Sequence, residues 1–551
     1  MYVDDSTYTR NGKTYRRVLL RNSYRENGKV RHDTLANLST CSDEEIEAIK
    51  FGFKNKNNLD TLKAHGKPVK SEQGLQVGGV WVLWKLAHRL GVAQALGQTR
   101  EALLCLWRVF ATLIAQGSRL SAVRLAQRHA VCDILPLNSF HEDHLYTAMD
   151  WLAEQQDVIE RQLFKQHYGR GEAPVLYLYD VTSSYFEGQE NELADYGYNR
   201  DGKRGKKQIV VGCLTEAQGR PVSIQVFRGN TSDPKTFKAQ IDKVSDDFGI
   251  EQVTFVGDRG MIKSAQITDL QEASFHHITA ITKPQIESLL SKGVIQLDLF
   301  DDRLAEVEHE AQRYVLRRNP ARTAEIAQNR EEKWQRLIAL VEEKNIYLKE
   351  HPRVKPETAI KPIKERMQKL KISDWVNIEL AHRAIEVTKD NEHLAELSRL
   401  DGCYVIKTDL PKASASKETI HQRYKDLTQV EGAFRTMKTA LLEMRGIFVR
   451  KETRTRAHVF IVMLAYLLAD ELKAAWKELD ITVAEGLSVL SDINTIELVF
   501  PNELRCQTIP TPRALGQKLL KRLNLTLPDA IPHRGIVIET RKKLPERQNS
   551  W

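Results

Sequence analysis

Hydrophobic and polar positions change period several times along the chain, and each change predicts a different kind of element. Over residues 1–60, β-rich runs alternate around Asn11-Gly12 and Asn27-Gly28, dipeptides suited to the positive-φ pairs of hairpin turns. From about 75 to 168 the spacing turns helical, as in VWVLWKLAHRLGVAQAL, ALLCLWRVFATLIAQ and AMDWLAEQQDVIERQLF. From 173 it returns to strands. APVLYLYDVT predicts a central strand, and QIVVGCLTEAQGRPVSIQVFRG a hairpin turning near Gln218-Gly219. DPKTFKAQIDKVSDDFG predicts a helix capped by Asp233, followed by the strand QVTFVG, the helix KSAQITDLQEA and the strand FHHITAIT.

The order β-β-β-α-β-α-β is that of a ribonuclease H-like core, a mixed sheet covered by helices. No glycine occurs between Gly293 and Gly402, and the middle of that stretch is dense in Glu, Lys, Arg and Gln. It predicts a charged helical insertion, an antiparallel helix pair broken near Pro320 and ending around Pro352. Beyond it, WVNIELAHRAIEVTKD and GCYVIKTDL are strand-like, and ETIHQRYKDLTQVEGAFRTMKTALLEM predicts one long helix. The expected fold is therefore α/β. A basic β-rich region or ribbon occupies 1–70, and a helical region suited to DNA binding 71–170. The sheet core falls in two parts, 171–285 and 401–475, around an insertion at 286–400, and a helical tail at 476–551 completes the chain.

Charge adds a modest bias. The 551 residues carry 82 Lys and Arg against 73 Asp and Glu, a formal net charge of +9, which is compatible with a polyanionic partner without requiring one. Residues 1–70 hold 14 basic against 9 acidic side chains, with Arg16, Arg17, Arg21, Arg25 and Arg31 running through the expected ribbon. Such a ribbon suits a groove or phosphates, and equally a solvated sheet face. Arg119, Arg124 and Arg128 recur at near-helical spacing in the next region. Six cysteines stand singly with no CxxC pair, which excludes a disulfide framework or zinc site of the usual spacing and fits a reducing cytosol. No apolar leader opens the chain, and HVFIVMLAYLLA is too short to span a bilayer. The expectation is a soluble, cytoplasmic, nucleoid-associated protein with no membrane partner.

Three acids carry the chemistry. Asp180 lies in LYLYDVTSSYFEG, Asp258 follows FVG, and Glu431 lies in YKDLTQVEGAFRTMK. Singly, each reads more simply as a turn or surface-helix residue. Jointly, the first and fourth strands of such a core are neighbours, so two carboxylates with 77 residues between them in sequence would meet, with a third arriving on a late helix. Carboxylate and phosphate oxygens are the ligands Mg²⁺ prefers, and two such ions suit phosphodiester cleavage. Tyr424, Glu431 and Lys438 recur every seven residues and would share a helix face with Arg435, facing phosphate oxygens. Lys203, Arg204, Lys206 and Lys207, in the turn before the second core strand, would track a DNA backbone or simply be solvated.

With these residues in place the chain resembles the DDE-type insertion-sequence transposases of the IS-four group, whose signature runs Y, two residues, R, three residues, E, six residues, K. Tyr424, Glu431 and Lys438 match at that spacing, whereas the Arg position holds Leu427, with Arg435 or Arg423 nearby to replace it. GYNRDGKRGKKQIVVG, FRGNTSDPKTF, VGDRGMIKSAQI and RAHVFIVMLAYLLA are similar to that group as well. The resemblance implies DNA cleavage at the element's ends and strand transfer into target DNA, using two Mg²⁺ ions (or Mn²⁺) on Asp180, Asp258 and Glu431. It also implies a homodimer on double-stranded DNA, and a stacking Trp for a flipped base, for which Trp334 is a candidate although a helix-packing role is the simpler reading. The alternatives are a DNA-binding derivative without catalysis and a ribonuclease H-like nuclease without strand transfer.

Overall fold

The computed structural model describes every residue apart from 55, 57–69, 170–173, 189, 204, 302, 440, 445–446, 500–504 and 542–551. The chain divides into two compact units, one of residues 1–81, 128–134 and 488–536, the other of 82–127, 135–487 and 537–551.

The first unit opens with a three-stranded antiparallel sheet, β1 (Tyr2–Arg10), β2 (Lys13–Glu26) and β3 (Lys29–Asn37). Its two turns put Asn11, Gly12, Asn27 and Gly28 at positive φ, as the sequence predicts for tight hairpins. Three of the ribbon arginines are engaged by carboxylates: Arg16 forks onto Asp5 at 2.8 Å, Arg21 pairs with Asp4 at 2.9 Å and Arg31 with Glu26 at 2.9 Å. A second sheet joins distant parts of the chain, β4 (Lys70–Gln76) pairing with Asn494–Val499, which pairs in turn with Arg505–Thr508. The expected helical tail is thus part strand, because its alternating Ile496 and Leu498 find an edge more than four hundred residues upstream.

The second unit is built on an eight-stranded sheet. Its first part holds β5 (Leu176–Tyr185), β6 (Gln208–Glu216), β7 (Pro221–Phe227), β8 (Thr254–Gly257) and β9 (His276–Ala280). These stand in the order β7-β6-β5-β8-β9, with β5, β8 and β9 parallel and β6 and β7 antiparallel, as a ribonuclease H-like core requires. Tyr177, Tyr179 and Val181 alternate onto one face of β5 and pack with Phe237, Phe255 and Phe275 in a buried cluster. Asp180 therefore points to the opposite face. The helix Glu452–Trp476 packs against β7 and the helices Arg100–Ile114 and Glu142–Tyr168 of the region expected to bind DNA. Its run Val459–Ala469 is buried, and no described helix is long and apolar enough to cross a membrane.

The insertion departs from an all-helical reading. VEHEAQRYVLRRN forms the hairpin β10 (Ala305–His309) and β11 (Gln312–Arg318), which extends the same sheet through β14 (Cys403–Thr408). Its charges pair across the ladder, Arg313 Nε donating to Glu306 Oε1 at 2.6 Å, instead of along a helix. Pro320 begins the helix Pro320–Glu350 instead of breaking one, and a second helix, Pro356–Leu370, packs against it. The hairpin β12 (Val376–Ala381) and β13 (Ala384–Lys389) shares their core. Trp334 packs there, 6.3 Å from the ring of Trp375, with the Lys389 ammonium 5.1 Å from its centroid. It is a packing residue.

Candidate active site

Asp180 and Asp258 reach one place through strand pairing. Tyr179 on β5 is in register with Gly257 on β8, so Asp180 and Asp258 each follow a paired residue by one step. The third acid, Glu431, lies on the helix Leu427–Met437, which packs on β5 through its buried Val430, Ala433, Phe434 and Met437. The expected long helix is interrupted: Lys417–Lys425 ends at Asp426, which begins Leu427–Met437, and Lys438 caps the end. The face shared by Tyr424, Glu431 and Lys438 is therefore split between two helices and a cap.

The electrostatics bring the acids together. The Asp180 carboxyl is pushed up to about 6, first by burial and further by the charges of Glu431 and Asp258, against the opposing pull of the Val181 backbone and of Arg200. Asp258 Oδ1 accepts from the Arg259 N–H at 2.7 Å and from the Tyr424 hydroxyl at 3.2 Å. Burial and the Asp258 charge hold the Tyr424 phenol protonated, which keeps it a donor to that carboxylate. Glu431 and Arg435 are exposed. Among the described residues no group of three His, Cys, Asp or Glu side chains stands ready to hold a metal ion. The donor set nevertheless suits a hard divalent cation: three carboxylates, oxygen ligands only, with like charges acting on a half-buried Asp180.

Lys438 has partners within the protein. Its ammonium donates to Asp201 Oδ1 at 2.7 Å and to the Ser183 carbonyl at 2.6 Å. Leu427, at the signature Arg position, is half-buried, and Arg423 sits 3.5 Å from Asp426. Lys206 pairs with Glu187 at 2.9 Å, and the Lys207 ammonium is 5.9 Å from the Tyr196 ring centroid. Arg204 lies outside the described residues.

The segment before those lysines contributes groups that the charge pattern alone does not single out. The Arg200 N–H donates to Ser183 Oγ at 2.8 Å, and its guanidinium donates to both Asp233 oxygens at 2.6 Å. Asp233 is thus one position inside its helix, beyond Ser232, and serves Arg200 instead of capping. Asp201 accepts from the Tyr185 N–H at 3.3 Å as well as from Lys438. The signal lies in GYNRDGKRGKK, whose Arg200 and Asp201 stand beside its lysines.

Comparison with known proteins bears on this arrangement. A family model described as a transposase DDE domain matches residues 172–468, just over half the chain. A second, the N-terminal domain of IS1634 family transposases, matches residues 5–58. No curated protein matches. Among solved structures, a cryo-EM structure of a piggyBac transposase synaptic complex with hairpin DNA aligns over 77% of this chain and 70% of that one, at 8% identity and a TM-score of 0.36.

Proposed function

The chain belongs to the transposases with a DDE domain, and from that premise we propose that Asp180, Asp258 and Glu431 are its catalytic carboxylates. The observation that carries this reading is the register of β5 and β8, which sets Asp180 beside Asp258, together with the Glu431 charge acting on Asp180. The three side chains would hold two Mg²⁺ ions, with Mn²⁺ able to substitute. Bound there, the ions supply a nucleophilic water at neutral pH and offset charge at the attacking and leaving oxygens.

The chain's own groups do the rest. Tyr424 orients Asp258 through its hydroxyl, and Arg200 places a positive charge near Asp180 while anchored on Asp233. Arg435, exposed one helical turn after Glu431, would meet a phosphate oxygen, and Lys206 and Lys207 would follow the DNA backbone. The reaction is cleavage at the ends of an insertion sequence followed by attack of the freed 3′-hydroxyl on target DNA. We assign the chain to the IS-four group, with Leu427 in place of the signature Arg, acting as a homodimer on paired double-stranded ends.

The test is cleavage of a duplex carrying the sequences that flank the coding region. The expected result is nicking at the ends with Mg²⁺ and none with EDTA. Equal nicking with EDTA would overturn the metal-dependent reading.

A further inference from the structure

Two tyrosines near the site are held out in solvent by a backbone pinned from beneath. Tyr196 is 62% exposed and Tyr198 81%, among the most exposed large side chains of the described residues. The segment that carries them is fixed at several points. Asp195 exchanges two backbone hydrogen bonds with Gln208, at 3.0 and 2.9 Å. The Gln208 amide, itself buried, donates to the carbonyls of Tyr198 and Gly229, at 3.0 Å each. Gly197 and Gly229 allow this closeness: a Cβ on Gly197 would lie 2.2 Å from the Gly229 carbonyl oxygen, and one on Gly229 1.9 Å from that of Gln208. Beyond Tyr198, Asn199 Oδ1 accepts from the Asp201 N–H at 2.9 Å and its amide donates to the Lys203 carbonyl at 2.7 Å, closing a compact turn.

A ring this exposed contributes little to folding, yet here the backbone is organised to present two of them. Cations accompany the rings. The Arg200 guanidinium lies 5.5 Å from the Tyr198 centroid, and the Lys207 ammonium 5.9 Å from that of Tyr196. Lys203 is 5.7 Å from the ring of Tyr185, the last residue of the strand that carries Asp180. Aromatic faces interleaved with cations are the combination that grips single-stranded nucleic acid, because every base offers a π-face and every linkage a negative charge. A duplex keeps its base faces stacked and cannot use the rings.

We propose that Tyr196 and Tyr198 form a stacking platform for unpaired bases next to the bond to be cut, with Lys203, Lys206 and Lys207 on the adjoining phosphates. The proposal rests on the reading of Asp180 as a catalytic residue and extends it. The platform gives the enzyme a preference for DNA whose end is opened, and it acts before any bond is cut.

The test uses the full chain carrying Asp258→Asn, so that no probe is cleaved, and two probes of one sequence. One is a blunt 30-base-pair duplex, and the other has five unpaired bases at one end with 2-aminopurine among them. The expected results are 2-aminopurine quenching on binding, and for Tyr198→Ala about tenfold weaker binding to the frayed probe. The blunt probe should be bound within twofold as before. Tyr198→Trp should restore both quenching and preference. Equal affinity of Tyr198→Ala and its parent for the frayed probe would overturn the platform, as would an equal loss on both probes that Trp does not restore. End cleavage by the chain with Asp258 intact is measured separately. If it occurs and the preference is absent, the platform alone falls; if the preference is present and cleavage is not, the transposase reading is the one in error.

Discussion

The Lys438 ammonium and the Asp201 carboxylate are 2.7 Å apart, with side chains only 12% and 4% exposed. Glu431 and Lys438 are therefore different in kind although one signature contains both. Glu431 faces solvent, whereas Lys438 ties the end of its helix to the turn that carries Arg200.

Removing this tie should act on stability first. Lys438→Ala leaves Asp201 buried with the Tyr185 N–H as its remaining partner, a loss of about 3–5 kcal/mol for breaking a buried pair. Denaturant unfolding should show this loss, and Asp201→Asn added to Lys438→Ala should recover part of it. A Lys438→Ala protein as stable as the parent, with only a shallower salt dependence of DNA binding, would return Lys438 to the phosphate contacts.

Asp180 gives a pH-dependent prediction with a fixed sign. Its folded-state value of about 6 lies above the ordinary aspartate value of 3.8, so its contribution to stability is present below about pH 4 and is lost as pH rises through 6. Without divalent metal, Asp180→Asn should therefore stabilise the protein at pH 8, by about 1–3 kcal/mol, and hardly at all at pH 4. Melting temperatures at the two pH values measure this, and an equal shift at both would contradict it. Mg²⁺ should raise the melting temperature of the parent more than that of the variant.

Tyr424 should matter for rate more than for folding. Tyr424→Phe keeps the ring and removes the hydrogen bond to Asp258, worth about 1–2 kcal/mol where it orients a charged group. End cleavage should slow about tenfold while the melting temperature stays close to that of the parent. An unchanged rate would show that Asp258 needs no orienting partner.

A buried network elsewhere tests the scaffold. Glu160 is fully buried and accepts from Lys243 Nζ at 2.5 Å, Ser223 Oγ at 2.8 Å and the Ile224 N–H at 3.2 Å, which joins the helix Glu142–Tyr168 to β7. Lys243→Met should cost about 3–5 kcal/mol by stranding that carboxylate, and adding Glu160→Gln should return part of it. Denaturation midpoints of the two variants decide this.

The strand order around Asp180 and Asp258 was legible because each strand is a distinct apolar run and readable helices separate β7, β8 and β9. The hairpin of β10 and β11 was hidden because Glu306 and Arg313, partners across a ladder, look in sequence like the charges of a solvated helix. The break at Asp426 left no trace in the helical period, which continues through it. The partner of Lys438 could not be read either. Periodicity assigns a residue to a face, but Asp201 lies 237 positions away and only the folded chain brings it there.

The central claim is that Asp180, Asp258 and Glu431 act as one metal-holding set, and cleavage by single substitutions tests it most directly. Asp180→Asn, Asp258→Asn and Glu431→Gln, assayed on flanking-sequence DNA with Mg²⁺, should each lose on the order of 10³-fold in cleavage rate and still bind that DNA. Cleavage at the parent rate by any one of the three would remove that residue from the set and contradict the account.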